Sequence, residues 1–295
     1  METTETLRRQ IDSTKTLHAV VRTMKVLSLT SIRQCENAVD ALKDYDRTVR
    51  RGLQIALRHR PREMPGGRAA PAAHVGAIVF GSTWGMCGRF NEQLAEAAAD
   101  RLSDLDPTRV TLLALGEYVG GALETAGHSP DAHDDGPESV EGITHRVQAL
   151  LVRIERWRQT EAMDRILLVY NELTSGTSYA VQTQPLLPLD RTWLAQIEQA
   201  DWPTRMVPTF RVDWDALFAA LVRQYLFVSL YRAFAESLAS EHSSRLAAMQ
   251  RAETNVEDRL DSLQTRFHRQ RQNAITEEVL DITAGFEALH SNHST

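Results

Sequence analysis

Positions spaced alternately four and three apart line residues 3 to about 58: Leu17, Val21, Met24, Ser28, Ser31, Cys35, Ala38, Leu42, Tyr45 and Val49. This is the a/d seam of a coiled coil. The segment holds no proline and one glycine, Gly52, so nothing in it breaks a helix. The seam is narrow, and Ser28 and Ser31 make its middle small, so a second helix approaches closely there or meets hydroxyls.

From Trp214 to about Leu289 there is again no proline, and the only glycine is Gly285. A helix of that length would span on the order of 110 Å, several times the width of a small domain. Its first third (Trp214, Leu217, Phe218, Leu221, Val222, Tyr225, Phe227, Leu230, Tyr231, Phe234) is apolar on several faces. Further on, Leu246, Met249, Val256, Leu260, Leu263, Phe267 and Ala274 settle into a narrow seam like that of the first segment. The two ends of the chain therefore predict each other as partners.

Between them the period changes. "HRPREMPGGRAAPAAH" (59–74) and the acidic "GHSPDAHDDGPESVEG" have loop composition. "VGAIVF" (75–80), "RVTLLALG" (109–116) and "RILLVYNEL" (165–173) read as buried strands, and "EQLAEAAADRL" and "THRVQALLVRIERWRQ" as helices. "TSGTSYAVQTQPLLPL" reads as a more exposed strand and loop. Alternating strand and helix predict a small, mostly parallel sheet flanked by helices. The predicted fold class is α/β: an antiparallel coiled coil of terminal helices with an inserted Rossmann-like domain. Its segments are 1–58 (amino-terminal helix), 74–205 (central α/β domain) and 209–289 (carboxy-terminal helix, packed with 1–58).

Composition narrows the function classes. Net charge is −6, which argues against a general nucleic-acid binder, although the first 58 residues carry 11 Lys/Arg against 7 Asp/Glu. Aromatics are 6 %, which suits a helix-rich soluble protein. The two cysteines, Cys35 and Cys87, show neither pairing nor metal spacing, as expected in a reducing compartment. The start "METTETLRRQIDSTK" lacks the apolar core of a signal peptide, and no window approaches the ~20 apolar residues of a bilayer span, so no direct bilayer insertion is expected.

Candidate chemistry is sparse. The turn "GSTWGMCGRFN" follows a strand and precedes a helix, where a phosphate would bind, but it matches neither dinucleotide nor P-loop spacing and offers no lysine. His128, His133 and the neighbouring aspartates offer metal ligands within a composition typical of solvated loops. Cys87 beside Arg89, and Ser243 beside His242, lack a third group to orient a base. In "RFHRQRQNAIT" (266–276) the arginines form a solvated face or recognise a partner's carboxylates. No catalytic residue, metal or cofactor is implied. The alternative to a non-catalytic protein is a nucleotide-binding α/β enzyme with a helical dimerisation arm.

Several stretches resemble the gamma subunit of the F-type ATP synthase, the central rotor shaft. "LRRQIDSTKTLHAVVRTMKVLSLTSIRQCE" is similar to the family's first helix, with Met24 and Arg33 at marked positions. "VFGSTWGMCGRFN" resembles the family's strand-turn motif, keeping Gly85, Cys87, Gly88 and Asn91 while Thr83, Trp84, Met86, Arg89 and Phe90 depart. "SEHSSRLAAMQRAETN" (240–255) is similar to Ser-Glu-x-x-x-Arg-Met-x-Ala-Met-x-x-Ala-x-x-Asn, and "RQNAITEEVLDITAG" to the carboxy-terminal signature.

The resemblance implies a rotor without chemistry of its own, turning inside a ring of alpha and beta subunits. It implies contact of the middle domain and the adjoining foot of the coiled coil with the epsilon subunit and the c ring. Arg271, Gln272 and Thr276 would be polar contacts to a beta-subunit loop, and Met24 would lie near the moving part of beta. Gly285 would give a smooth helix surface where backbone and bearing come close, while Phe286 stands where the family has alanine. Trp84, Arg89 and Phe286 give a resemblance to the alternate, sodium-coupled ATPases found as additional copies in some bacteria. The implied placement is peripheral, on the cytoplasmic face of a bacterial inner membrane.

Overall fold

The computed structural model describes residues 3–60, 74–103, 105–163, 165–175 and 178–291. Side chains from 285 onward, with those of Pro107 and Ser175, lie outside the described set, as does most of the loop-like segment 59–74. The described chain runs α1 (Thr4–Arg58), β1 (Val75–Phe80), α2 (Phe90–Leu102), a short 3₁₀ turn (Pro107–Arg109), β2 (Val110–Leu115) and α3 (Glu117–Thr125). It continues with β3 (Ala132–Asp134), α4 (Val140–Thr160), β4 (Arg165–Ser175), β5 (Ser178–Leu187), α5 (Arg191–Gln199) and α6 (Trp214–Ser291). It forms two compact units: α1 up to Leu27 with α6 from Ala247, and Ser28–Leu246.

In the second unit the sheet order is β3-β2-β1-β4-β5, with β5 antiparallel to β4 and the other pairs parallel. Alternation along β1 divides the core. Ala77 and Val79 face α2 and α3 through Leu94, Ala98, Val119 and Leu123. Ile78 and Phe80 face the opposite side, where α4 (Val147, Ile154, Trp157), α6 (Leu230, Phe234, Leu238) and Cys35 of α1 cover the sheet. A third cluster joins Leu42, Val49, Leu53 and Leu57 of α1 to Ile197 of α5 and Val228 of α6. The first third of α6 is apolar on several faces because it serves the sheet, α1 and α5 at once.

Two expectations need correction. The acidic loop contains β3, which pairs with β2 at the sheet edge; its polar sequence hid it because a three-residue edge strand needs no apolar side chains. Helices α3 and α5 are also additional to the sequence reading.

The seam of α1 is wider than predicted. Val21, Ser28, Cys35, Leu42 and Val49 are buried as expected, but Leu17 and Tyr45 are 52 % and 42 % exposed. Met24, Ser31 and Ala38, in the same predicted column as Leu17 and Tyr45, are half-buried, and a further column beside them buries Ile11, Ile32, Asp46 and Leu53, with His18, Lys25 and Val39 half-buried along it. Polar pairs lie along this added column, and Asp46 is also bonded within α1 by Arg50 at 2.7 Å. In the first unit Lys25 pairs with Glu253, and His18 Nε2 lies 3.3 Å from Glu257. In the second, Arg232 lies 3.7 Å from Asp46. A column that alternates charges with aliphatics escapes a search for apolar periodicity.

In the first unit Leu7, Ile11 and Leu263 form a small core with Leu260 and Phe267 against it. These contacts make the two helices antiparallel, residue 7 meeting 263 while 25 meets 253. Ala274 leaves the predicted seam: every described side chain from Arg271 to Ala284 is exposed, beyond the contacts of Leu263 and Phe267 with the described part of α1.

Candidate functional site: the turn after β1 and its latch on α6

Open α/β sheets bind ligands outside the carboxyl ends of their strands, where the strand order reverses. Here that point lies between β1 and β4. The turn after β1 is wound tightly, with Met86 and Gly88 both left-handed at φ 59° and 62°. Gly88 takes this conformation freely; Met86 does so at a cost of roughly 1 kcal/mol or more. Beside it, Gly116 (φ 100°) lets the end of β2 approach closely, since a Cβ there would lie 2.6 Å from the Ser82 carbonyl oxygen.

Asn91 holds the turn from α2. Its Oδ1 accepts from the Ser82 amide at 3.0 Å and its Nδ2 donates to Ser82 Oγ at 2.8 Å. Cys87 is buried, and its thiol donates to Ser82 Oγ at 3.6 Å. Burial pushes that thiol above its ordinary pKa, against the hydrogen bond to Ser82, so it stays protonated. Of the departures from the family motif, Phe90 is fully buried with its ring 5.6 Å from Tyr179, while Arg89 is exposed and pairs with Glu96 at 3.0 Å.

Helix α6 closes the crevice. Ser237, Ser240 and Ser244 fall on one helical face and donate to the carbonyls of Phe80 (2.8 Å), Asn171 (3.1 Å) and Cys87 (2.5 Å). Small hydroxyls let the helix sit directly on the end of β1, on Asn171 within β4 and on the turn, and satisfy their carbonyls. Between them Glu241 and Arg245 form a pair at 2.5 Å, with side chains only 4 % and 5 % exposed. Arg245 also donates to the carbonyls of Trp84 (2.9 Å) and Gly85 (3.2 Å). Burial raises the Glu241 carboxyl, while Arg245 and the Thr83 and Trp84 amides bonded to it pull it back.

The crevice is thus filled from within. A nucleotide phosphate would need the amide groups that Glu241 already occupies, so the turn belongs to the packing of α6. Neither candidate nucleophile is set up for chemistry. Ser243 is wholly buried, and burial with the nearby Arg245 charge lowers His242 to about 4. His133 sits on β3, Asp131 accepts from the Leu112 amide at 2.7 Å, and Asp134 is paired with Arg153 at 2.8 Å, so the acidic loop spends its polar groups on the fold. One metal-capable set does converge among the described residues: His18, Glu253 and Glu257, with donor atoms within 4.8 Å of one another. His18 and Lys25 already pair with its two carboxylates.

Of the other residues singled out from sequence, Arg271, Gln272 and Thr276 lie on the exposed part of α6, where Thr276 Oγ1 donates to the Gln272 carbonyl at 2.9 Å. Met24 is half-buried on α1. Gly285 and Phe286 lie outside the described side chains. The sequence marked Ser240, Glu241 and Arg245 only as the Ser-Glu-x-x-x-Arg of the 240–255 motif, with no structural task, and did not mark Ser237 or Ser244. The signal was present as serines three and four apart in an apolar helix and a Glu/Arg pair at helical spacing.

The ATP synthase family model matches residues 3–289. The chain belongs to the ATP synthase family, among its gamma subunits. It is 28 % identical to the ATP synthase gamma chain of Cyanothece sp., over 98 % of this chain and 100 % of that one. It is 29 % identical to the gamma chain of Granulibacter bethesdensis, with the same coverage. Its fold is shared with a chain from the Euglena gracilis mitochondrial ATP synthase, OSCP/F1/c-ring, with TM-score 0.65, 15 % identity and coverage of 99 % and 96 %. A chain of the Tetrahymena thermophila central stalk/c-ring structure gives 0.55 at 18 % identity, covering 79 % and 99 %. No helix among the described residues is long and apolar enough to cross a membrane.

Proposed function

We propose that this chain is a rotor that couples ion flow through a membrane c ring to ATP synthesis or hydrolysis on a ring of alpha and beta subunits, and that catalysis belongs to beta. The observation that carries this reading is the bare stretch of α6. From Arg271 to Ala284 the described side chains are all exposed, including Ile275 (51 %), Val279 (55 %), Leu280 (61 %) and Ile282 (67 %). An aliphatic helix surface of that kind calls for a surrounding partner. Arg271, Gln272 and Thr276 are then polar contacts to beta, Met24 lies near its moving part, and Gly285 and Phe286 belong to the tip. The epsilon subunit and the c ring meet the α/β domain and the foot beside it, and the complex sits on the cytoplasmic face of a bacterial inner membrane.

The test is reconstitution with alpha and beta subunits. ATP hydrolysis should appear only in the assembled complex and should rotate a probe fixed to the α/β domain. Arg271→Ala with Gln272→Ala should weaken coupling between hydrolysis and torque without changing the helix content of the free chain. Turnover of ATP by the pure chain would overturn the reading in favour of a nucleotide-binding enzyme with a dimerisation arm. Sub-millimolar binding of ATP, NAD or flavin in calorimetric titration would do the same.

A further inference from the structure

A cleft of about 240 Å³ opens beside the ends of β2 and β3, apart from the latched turn, lined by Leu115, Asp134, Asp135, Phe234 and one face of α4. That face contributes Arg146, Ala149, Leu150, Val152, Arg153 and Arg156. Its arrangement is ordered. Arg153 Nη2 donates to Asp134 at 2.8 Å and Arg146 Nη2 lies 3.4 Å from Asp135, so two guanidinium groups are held by carboxylates from the end of β3. Arg156 has no carboxylate partner among the described residues. Three cations against two anions leave the cleft positive, and a guanidinium has five N–H donors, most of them still free after one such bond.

Between the arginines the floor is apolar. Leu115 and Leu150 are buried, Ala149 leaves a gap, and Val152 is 53 % exposed with nothing over it. Ten residues of helix separate Arg146 from Arg156, roughly 15 Å along the axis. One phosphate or one carboxylate cannot reach both ends, whereas about five extended residues cover the distance. A nucleic-acid strand could, but it would leave the apolar floor unfilled. We infer that this cleft is a docking surface for an acidic segment of another protein, in which carboxylates flank one or two aliphatic side chains. The carboxylates meet Arg146, Arg153 and Arg156 as forked hydrogen-bonded pairs, and the aliphatic groups cover Ala149 and Val152.

Fluorescence anisotropy of the full chain tests this, with a short labelled peptide of alternating Glu and Leu as the probe. The peptide should bind at low salt and weaken as salt rises. Arg146→Ala with Arg156→Ala should reduce affinity at least about tenfold, and Val152→Asp should reduce it by a similar factor, with unchanged circular dichroism in both. An all-Glu peptide of equal length should bind more weakly. Equal binding by wild type and variants, or by the all-Glu peptide, would overturn the proposal. Displacement by inorganic phosphate at matched ionic strength would also overturn it, by making the cleft a small-anion site.

Discussion

Arg245 reaches Glu241 at 2.5 Å across one turn of α6, and the same guanidinium donates to the carbonyls of Trp84 and Gly85. One buried side chain thus joins the long helix to the turn after β1. Arg245→Ala would leave the buried Glu241 carboxylate without its counter-charge, held only by the Thr83 and Trp84 amides, and two carbonyls without this donor, at a cost of about 3–5 kcal/mol. Glu241→Gln, which keeps the shape and removes the charge, should cost less, about 1–3 kcal/mol. Urea denaturation followed by tryptophan fluorescence checks the order of the two losses; a loss under about 1 kcal/mol for Arg245→Ala would show that the latch contributes little.

Burial raises the Glu236 carboxyl from 4.5 to about 7; Glu172 adds to the rise, while Arg232 and a hydrogen bond from Tyr170 oppose it. The folded protein therefore holds a proton that the unfolded chain releases between those values. This contribution is full below pH 4.5 and is lost as pH rises through about 7. Glu236→Gln, neutral at every pH, should gain stability over wild type toward alkaline pH, on the order of 1–3 kcal/mol above pH 7. A difference between the two stability curves that stays flat from pH 5 to 8 would remove Glu236 as the cause.

Cys35 is fully buried and its thiol is pushed up to about 12 by desolvation, with Glu241, Glu141 and Glu36 adding to the rise. Cys87 is 3 % exposed and also raised. Neither should react appreciably with a thiol reagent near pH 8 in the native chain, and both should react in urea. Rapid modification of Cys87 alone would mean that the latched turn opens locally while the core stays closed.

Two glycines should respond unequally to alanine. At Gly116 the backbone is left-handed and a Cβ would meet the Ser82 carbonyl oxygen at 2.6 Å, so Gly116→Ala should cost at least about 2 kcal/mol. At Gly52 the nearest obstacle is Leu221 Cδ2 at 2.6 Å, the end of a side chain that can turn aside, and alanine favours the helix by about 1 kcal/mol. Gly52→Ala should therefore stay within about 1 kcal/mol of wild type. Thermal or urea midpoints of both variants measure the contrast.

The sequence was most legible where one physical demand acts over many residues. The absence of proline and near absence of glycine mark α1 and α6, and continuous apolar runs mark β1, β2 and β4, because a helix needs unbroken backbone bonding and a central strand is buried on both faces. It was least legible where a position answers to a distant partner. Lys25 and Asp46 look like solvated charges until Glu253 and Arg232 stand opposite them. The sequence-level signature around Ser240 became intelligible only when its hydroxyls met the strand ends.

By itself, then, the sequence determined two long helices, a parallel sheet between them and, through its motifs, the family. Tertiary structure decided how wide the inward face of α1 is, that the turn after β1 is closed by Glu241, and that the described side chains of α6 beyond Gln270 are exposed. Local propensity and periodicity are written in neighbouring residues. Ion pairs, filled crevices and missing partners depend on residues far apart in the chain, and only folding brings those together.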